Sequence, residues 1–391
     1  MPPISSPLSF PYTVIQVVPE LDTGGVEQTV VDVARAVIEA GGRAIVVSKG
    51  GRLEAYLKQI GAVVVLLPVH SKNPYVQFKN YYALRALIRK EKPDIVHVRS
   101  RAPALSALPA AKAEGVKTVT TYHGIYKAGS ALKRWYNGRM TTADVVIANS
   151  DYTRDHVLRE YDLNPAKVVA VPRGVDLKKF DPGAVDEARK DKLAQAWGVD
   201  RSDGRTRFLL AGRLTRWKGQ TLVIEALWAK RDELVDTANV EVIMAGDDQG
   251  RTEYRRELEN LISLYALEDT VKLVGHCSDM PAAYSLCDFA LAPSLEPEAF
   301  GRTAVEPQAM GRPVLAAKHG ATAETVEDAV SGWLVTSGDV TAWADAMRVA
   351  ALTSAPARAV MGAAGRARVH ERFSLETMCA ATLDIYRSLL T

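Results

Sequence analysis

Three cysteines in 391 residues, Cys277, Cys287 and Cys379, are too few and too irregularly spaced for a disulfide framework or a metal cluster. An odd set of this kind points to free thiols in a reducing compartment. No run of about twenty uninterrupted apolar residues occurs, so no segment reads as a membrane span. The start, MPPISSPLSFPY, has neither a basic flank nor an apolar stretch of signal-peptide length, and reads as a loose leader. GxGxxG and GxxxxGK[ST] are both missing, which removes the dinucleotide fingerprint and the Walker loop. Low-complexity segments and short repeats are absent too.

What is present is the composition of a globular chain, 47% hydrophobic and 24% charged, longer than one core usually holds. Two domains are expected, at residues 1–180 and 181–373, with a helix at about 374–391 packing back on the first. Charge divides unevenly between them. Residues 1–180 carry 25 Lys and Arg against 15 Asp and Glu, and the remainder carries 24 against 31, so the first half is suited to an anionic partner.

Apolar strand-like runs at 13–18, 44–48, 63–67, 95–98, 118–121, 145–148 and 168–171 alternate with helical patterns. After a polar segment at 177–206, read as a linker with one helix, the pattern resumes with strands at 208–211, 241–245, 271–274, 288–292, 313–317 and 332–335. Such alternation predicts an α/β chain of two doubly wound parallel sheets, which take ligands at the carboxyl ends of their strands.

Several such edges carry suggestive residues. Glu298 and Glu306 stand eight positions apart, one in a loop with Ala299, Phe300 and Gly301, the other on the helix it feeds at 302–310. The loop Gly212-Arg213-Leu214-Thr215-Arg216-Trp217-Lys218-Gly219 puts three cations between glycines before a helix, a natural phosphate contact. Gly24 and Gly25 permit close backbone approach at another helix start. His123 ends a strand with Gly124 behind it, and Gly275-His276-Cys277 ends another without metal-ligand spacing. Ser278 or Asp279 can cap the helix at Pro281. Each also has a bland reading: solvated carboxylates, solvated cations, a tight turn, a structural histidine.

Taken in order, Gly24-Gly25-Val26-Glu27, His123-Gly124, Pro172-Arg173-Gly174-Val175-Asp176, the loop from Gly212 to Gly219, and Glu298 to Glu306 with its continuation EPQAMGRPV make the chain from about Thr13 resemble the family 4 retaining glycosyltransferases. The resemblance implies the GT-B fold, two Rossmann-like domains facing across a cleft, the first binding acceptor and the second a nucleotide sugar. It implies that Arg213 and Lys218 hold the donor diphosphate, that Glu306 binds the ribose, and that Glu298 with the backbone of Ala299, Phe300 and Gly301 binds the sugar. His123 would lie beside the anomeric carbon, Gly24 and Gly25 would approach the phosphates, and Gly275 and His276 would join the donor site. No metal or cofactor is implied. Retention without an enzymic nucleophile implies that the leaving phosphate assists deprotonation of the acceptor on the same face. Arg173, where the family often has Asn, and the loop GDDQGR after Ala245 depart from the pattern and leave the donor unidentified.

Lys72, Asn73, Arg99, Arg101, Lys127, Lys133 and Arg134 follow strand ends in the basic half and are candidate acceptor contacts. They suggest a lipid-linked or lipopolysaccharide-type acceptor met at the inner face of the cytoplasmic membrane, by a cytoplasmic or peripheral protein in cell-envelope glycan synthesis. The stretches 127–139 and 81–92 mix cations with aromatics, as either amphipathic helices over a core or a lipid-facing surface. Nucleic acid is not indicated. A nucleotide-sugar epimerase of the same fold and a non-catalytic nucleotide-sugar-binding protein remain open; a dehydrogenase is disfavoured by the missing fingerprint.

Overall fold

The computed structural model describes residues 10–22, 24–250 and 252–391. Residues 1–9 of the expected leader, Thr23 and Arg251 lie outside the described residues. The chain divides into two compact units, one of residues 1–174 and 375–391, the other of residues 175–374.

The first unit runs β1 (Thr13–Val17), α1 (Gly25–Glu39), β2 (Arg43–Ser48), α2 (Glu54–Gln59), β3 (Val63–Leu66), α3 (Pro74–Glu91) and β4 (Ile95–Val98). It continues with α4 (Arg101–Ala113), β5 (Lys117–Tyr122), α5 (Ala131–Gly138), β6 (Val145–Ala148), α6 (Asp151–Tyr161) and β7 (Val168–Ala170). Its seven strands are parallel in the order β3-β2-β1-β4-β5-β6-β7. Strand alternation sends Ile15 and Val17 into one apolar layer and Val14 into the other.

The second unit holds α7 (Glu187–Trp197), β8 (Thr206–Ala211), α8 (Gln220–Ala229), β9 (Val240–Ala245), α9 (Thr252–Leu264), β10 (Val271–Gly275) and α10 (Met280–Ser285). Then come β11 (Phe289–Ala292), α11 (Arg302–Ala309), β12 (Val314–Ala317), α12 (Thr322–Thr325), β13 (Gly332–Val335), α13 (Val340–Ala351) and α14 (Ala355–Arg372). Its parallel order is β10-β9-β8-β11-β12-β13. Phe208 and Leu210 face one layer, Leu209 and Ala211 the other. The last helix, α15 (Leu375–Leu390), packs on α1 in the first unit, where Tyr386 is fully buried.

Two expectations are corrected. The segment 177–206 is no linker: Phe180, Val185, Ala194 and Val199 are buried in the second unit's core, and Arg189 forks onto Asp279 at 2.7 and 3.0 Å. Spaced apolar residues within a polar stretch supply that anchorage. The end of the presumed leader is core, because Phe10 is fully buried and its N–H donates to the Ala40 carbonyl at 2.7 Å. Within the stretch 127–139 the helix α5 covers Ala131–Gly138, started by Ser130, which accepts from the Lys133 N–H as an N-cap. Helix α9 had no counterpart in the sequence reading, and Asp279 rather than Ser278 caps α10.

Candidate functional site

In the second unit the strand order reverses between β8 and β11, the position at which an open sheet leaves a crevice beyond its carboxyl ends. The loops leaving these strands run side by side. The Leu295 N–H donates to the Trp217 carbonyl at 2.7 Å, and Gly219, at φ +79°, would put a Cβ 2.2 Å from the Pro293 carbonyl oxygen. Only glycine fits there. Across this seam the Lys218 ammonium is ion-paired with the Glu298 carboxylate, the side chains being only 12% and 13% exposed. Ser294 Oγ donates to the same Glu298 oxygen at 2.7 Å, and the Glu298 carbonyl accepts from the Ala321 N–H at 2.9 Å, so the carboxylate is held at both ends of its residue. Arg213, by contrast, is exposed and touches the Gln249 side chain at 3.5 Å, while its carbonyl is fixed by Gln220. Arg216, the third cation of the loop, is paired with Glu257.

Glu306 lies on α11, which opens at Gly301 with φ +81°. It is buried, accepting from Arg302 at 2.5 Å and from the Tyr284 hydroxyl at 3.4 Å. Burial and the neighbouring carboxylate raise the Tyr284 phenol far above its ordinary range, so it stays a donor. The two glutamates therefore hold different partners. The Phe300 side chain is buried against Phe373, which leaves its backbone alone for ligand contact; Ala299 is half-buried. Gly275, at φ +73°, has open space where a Cβ would be, and His276 is exposed.

In the first unit the order reverses between β1 and β4. The loop after β1 ends at Gly24 and Gly25, the start of α1. Arg173 Nη1 would lie 2.6 Å from a Cβ on Gly25, and Arg173 Nη2 lies 3.1 Å from Nδ1 of His123, which follows β5. Burial pushes the His123 pKa well below its ordinary value, with the Arg173 and Arg99 guanidiniums acting in the same direction.

The acceptor candidates fare differently. Arg99, a candidate acceptor contact, is only 2% exposed, with Nε and Nη2 donating to Gln16 Oε1 at 3.0 and 2.5 Å, so its guanidinium is turned inward rather than toward an acceptor. Its position directly after a buried strand carries it inside. Asn73 is the N-cap of α3, its Oδ1 accepting from the Tyr75 and Val76 N–H groups. Arg101 donates to Asn137 at 2.8 Å and lies 4.0 Å from the Tyr126 ring centroid. Lys72, exposed, sits 5.9 Å from the Tyr136 ring, Lys127 and Lys133 are exposed, and Arg134 is ion-paired with Glu160.

Sequence reasoning passed over Ser294, Tyr284, Gln16 and His97. Ser294 lies four residues before Glu298, a spacing that was available; the other three meet their partners only through the sheets. His97 joins Tyr386 of α15 at 2.5 Å and Thr121 at 2.7 Å. Among the described residues no helix is long and apolar enough to cross a membrane.

With this geometry in hand, known proteins give a consistent comparison. Residues 23–179 match the family model Glycosyltransferase Family 4, and residues 191–368 match Glycosyl transferases group 1. The chain is 33% identical over 252 residues to the D-inositol 3-phosphate glycosyltransferase of Saccharomonospora viridis, covering 63% of this chain and 56% of that protein. It thus spans about half the length of the curated relatives it matches. A glycosyltransferase structure from Rickettsia africae is 32% identical, with a TM-score of 0.89 over 97% of this chain and 99% of that one. Anabaena Alr3699/HepE, solved with UDP and glucose, shares the fold at 22% identity, with a TM-score of 0.79 over 96% and 100% of the two chains. The architecture is that of two Rossmann-like domains, seven-stranded and six-stranded, as in GT-B proteins.

Proposed function

Because this chain belongs to the family 4 glycosyltransferases, we propose that it transfers a hexose, with retention, from a nucleoside-diphosphate sugar to an anionic acceptor. The observation that carries this reading is the Lys218–Glu298 pair at the carboxyl edge of β8 and β11. One member of that pair is the cation a departing diphosphate needs, and the other is the carboxylate a sugar hydroxyl needs. A donor entering here exchanges the internal pair for two ligand contacts: diphosphate oxygens accept from Lys218 and the exposed Arg213, and a sugar hydroxyl donates to Glu298. As the anomeric C–O bond breaks, negative charge grows on the β-phosphate, where the two cations stabilise it; charge set in place beforehand usually lowers the barrier of such reactions more than any other effect. The acceptor hydroxyl attacks the same face, and its proton passes to the departing phosphate oxygen. None of these steps calls on a metal ion. Within the second unit, Glu306 would take the ribose hydroxyls.

For the acceptor, the basic balance of the first half supports an anionic group. A lipopolysaccharide-type or lipid-linked acceptor is further supported by the exposed aromatic stripe Tyr75, Phe78 and Tyr82 on α3 and by Leu132 and Trp135 on α5, with Lys79 and Lys133 beside them. A small phosphorylated polyol, the acceptor class in the name of the Saccharomonospora relative, meets the same charge requirement. Thermal shift with UDP-, GDP- and ADP-sugars, then mass spectrometry of products formed with each acceptor class, tests the proposal. Stabilisation by one nucleotide sugar and a product heavier by one hexose are expected. A changed donor sugar formed without acceptor would mean an epimerase, and binding without turnover would mean a non-catalytic nucleotide-sugar-binding protein.

A further inference from the structure

Arg173 approaches the imidazole of His123 with Nη2 at 3.1 Å from Nδ1. A guanidinium carries five donors and no acceptor, so the imidazole nitrogen facing it must be the one with the lone pair. In a neutral ring the proton is then on Nε2. That nitrogen is shielded from solvent and has no hydrogen-bond partner among the described residues. The backbone that carries the ring is held as well, since the His123 carbonyl accepts from Asn149 Nδ2 at 3.3 Å. Arg173 reaches this position because residue 25 is glycine: a Cβ there would stand 2.6 Å from Nη1.

We propose that Arg173 is a positioning residue, which locks His123 as the neutral Nε2–H tautomer and presents it to substrate as a hydrogen-bond donor. The inference rests on the glycosyl-transfer reading only for the identity of the oxygen that accepts from Nε2, a hydroxyl of the sugar substrate. It carries a mechanistic consequence: a nitrogen that already bears its proton cannot take one from the acceptor hydroxyl. The proton of the attacking hydroxyl must go elsewhere, which fits its transfer to the departing phosphate. The charged and titratable groups around His123 are Arg173, Arg99, His97 and Tyr126, the last hydrogen-bonded to the His123 backbone. The two guanidiniums act against a second proton on the ring.

Long-range 1H–15N correlation spectra of the full chain labelled with 15N-histidine, with H123Q to assign the resonances, read the tautomer directly. In the wild type, Nδ1 of His123 should resonate in the unprotonated range and Nε2 in the protonated range, with no titration near neutral pH. R173M should lose the single tautomer and shift the titration of His123 to higher pH. R173K, which keeps a cationic donor, should restore the Nε2–H form. Should R173M fail to fold, R173Q serves instead, because an amide can either donate or accept and no longer forces one tautomer. A proton on Nδ1 in the wild type, or a spectrum unchanged in the Met or Gln variant, overturns the proposal. R173M or R173Q assayed for glycosyl transfer should lose about tenfold in kcat/KM, the value of one oriented hydrogen bond, and R173K should recover most of it. If the wild type forms no glycoside while its spectrum shows the locked tautomer, the functional reading falls and this inference stands.

Discussion

Lys218 is held by Glu298 before any ligand arrives, so its charge is preorganised, and the paired carboxylate offsets its desolvation. Replacing it by alanine removes the cation aimed at the leaving group and strands a mostly buried carboxylate. Lys218→Ala is expected to lower kcat by roughly 100- to 1000-fold, about 3–4 kcal/mol of transition-state stabilisation. Steady-state kinetics checks this, and turnover near normal would place the leaving group elsewhere. His97, fully buried, and His123, half-buried with its Nε2 shielded, give stability a pH dependence. Burial lowers the pKa values of His97 and His123 well below 6.5, so the folded state keeps them neutral while the unfolded chain takes up protons as the pH falls through 6.5. Where the unfolded state binds more protons, stability rises with pH. Denaturation midpoints measured at about pH 7 and about pH 5.5 should therefore show loss of stability at the lower value, and H97Q should reduce the dependence.

Helix α15 closes the first unit from the far end of the sequence. Its Tyr386 packs beside Phe10, and its hydroxyl meets His97 Nδ1, which ties the last helix to a strand nearly three hundred residues earlier. Tyr386→Phe keeps the ring and removes the partner of a buried nitrogen. A loss of about 1–3 kcal/mol is expected, measured by urea denaturation. An unchanged midpoint would show that His97 finds another partner. At the same scale, helices α3 and α5 carry their exposed aromatics at helical spacing, which is why their periodicity alone left a core-packed and a lipid-facing reading equally open. The tertiary contacts show those particular rings on the outside.

The uneven division of charge is a property of the whole chain, and under the acceptor proposal association with anionic vesicles should weaken as salt is added. Because Arg134 is neutralised by Glu160 whereas Lys133 projects from α5, Lys133→Glu should weaken sedimentation with anionic vesicles more than Arg134→Glu does. Identical sedimentation of the double variant and the wild type would remove the membrane surface from the acceptor proposal.

Strand and helix alternation, the glycines of the site loops and the carboxylate spacing were legible in the sequence, because each is local: a side-chain period, a positive φ at Gly219, a helix start at Gly301. The doubly wound sheets followed from that periodicity alone. Partner choice was not legible. Nothing near Arg99 in the chain announces that it turns inward to Gln16, nor does anything near Arg173 announce that it reaches His123, since both contacts join separate strands through parallel crossovers. The same holds for segment 177–206, whose few apolar residues bury only because a core stands where they can reach it. Local chemistry thus determined where the loops lie, and the long-range packing of the sheets decided which charges in them are exposed, paired or buried.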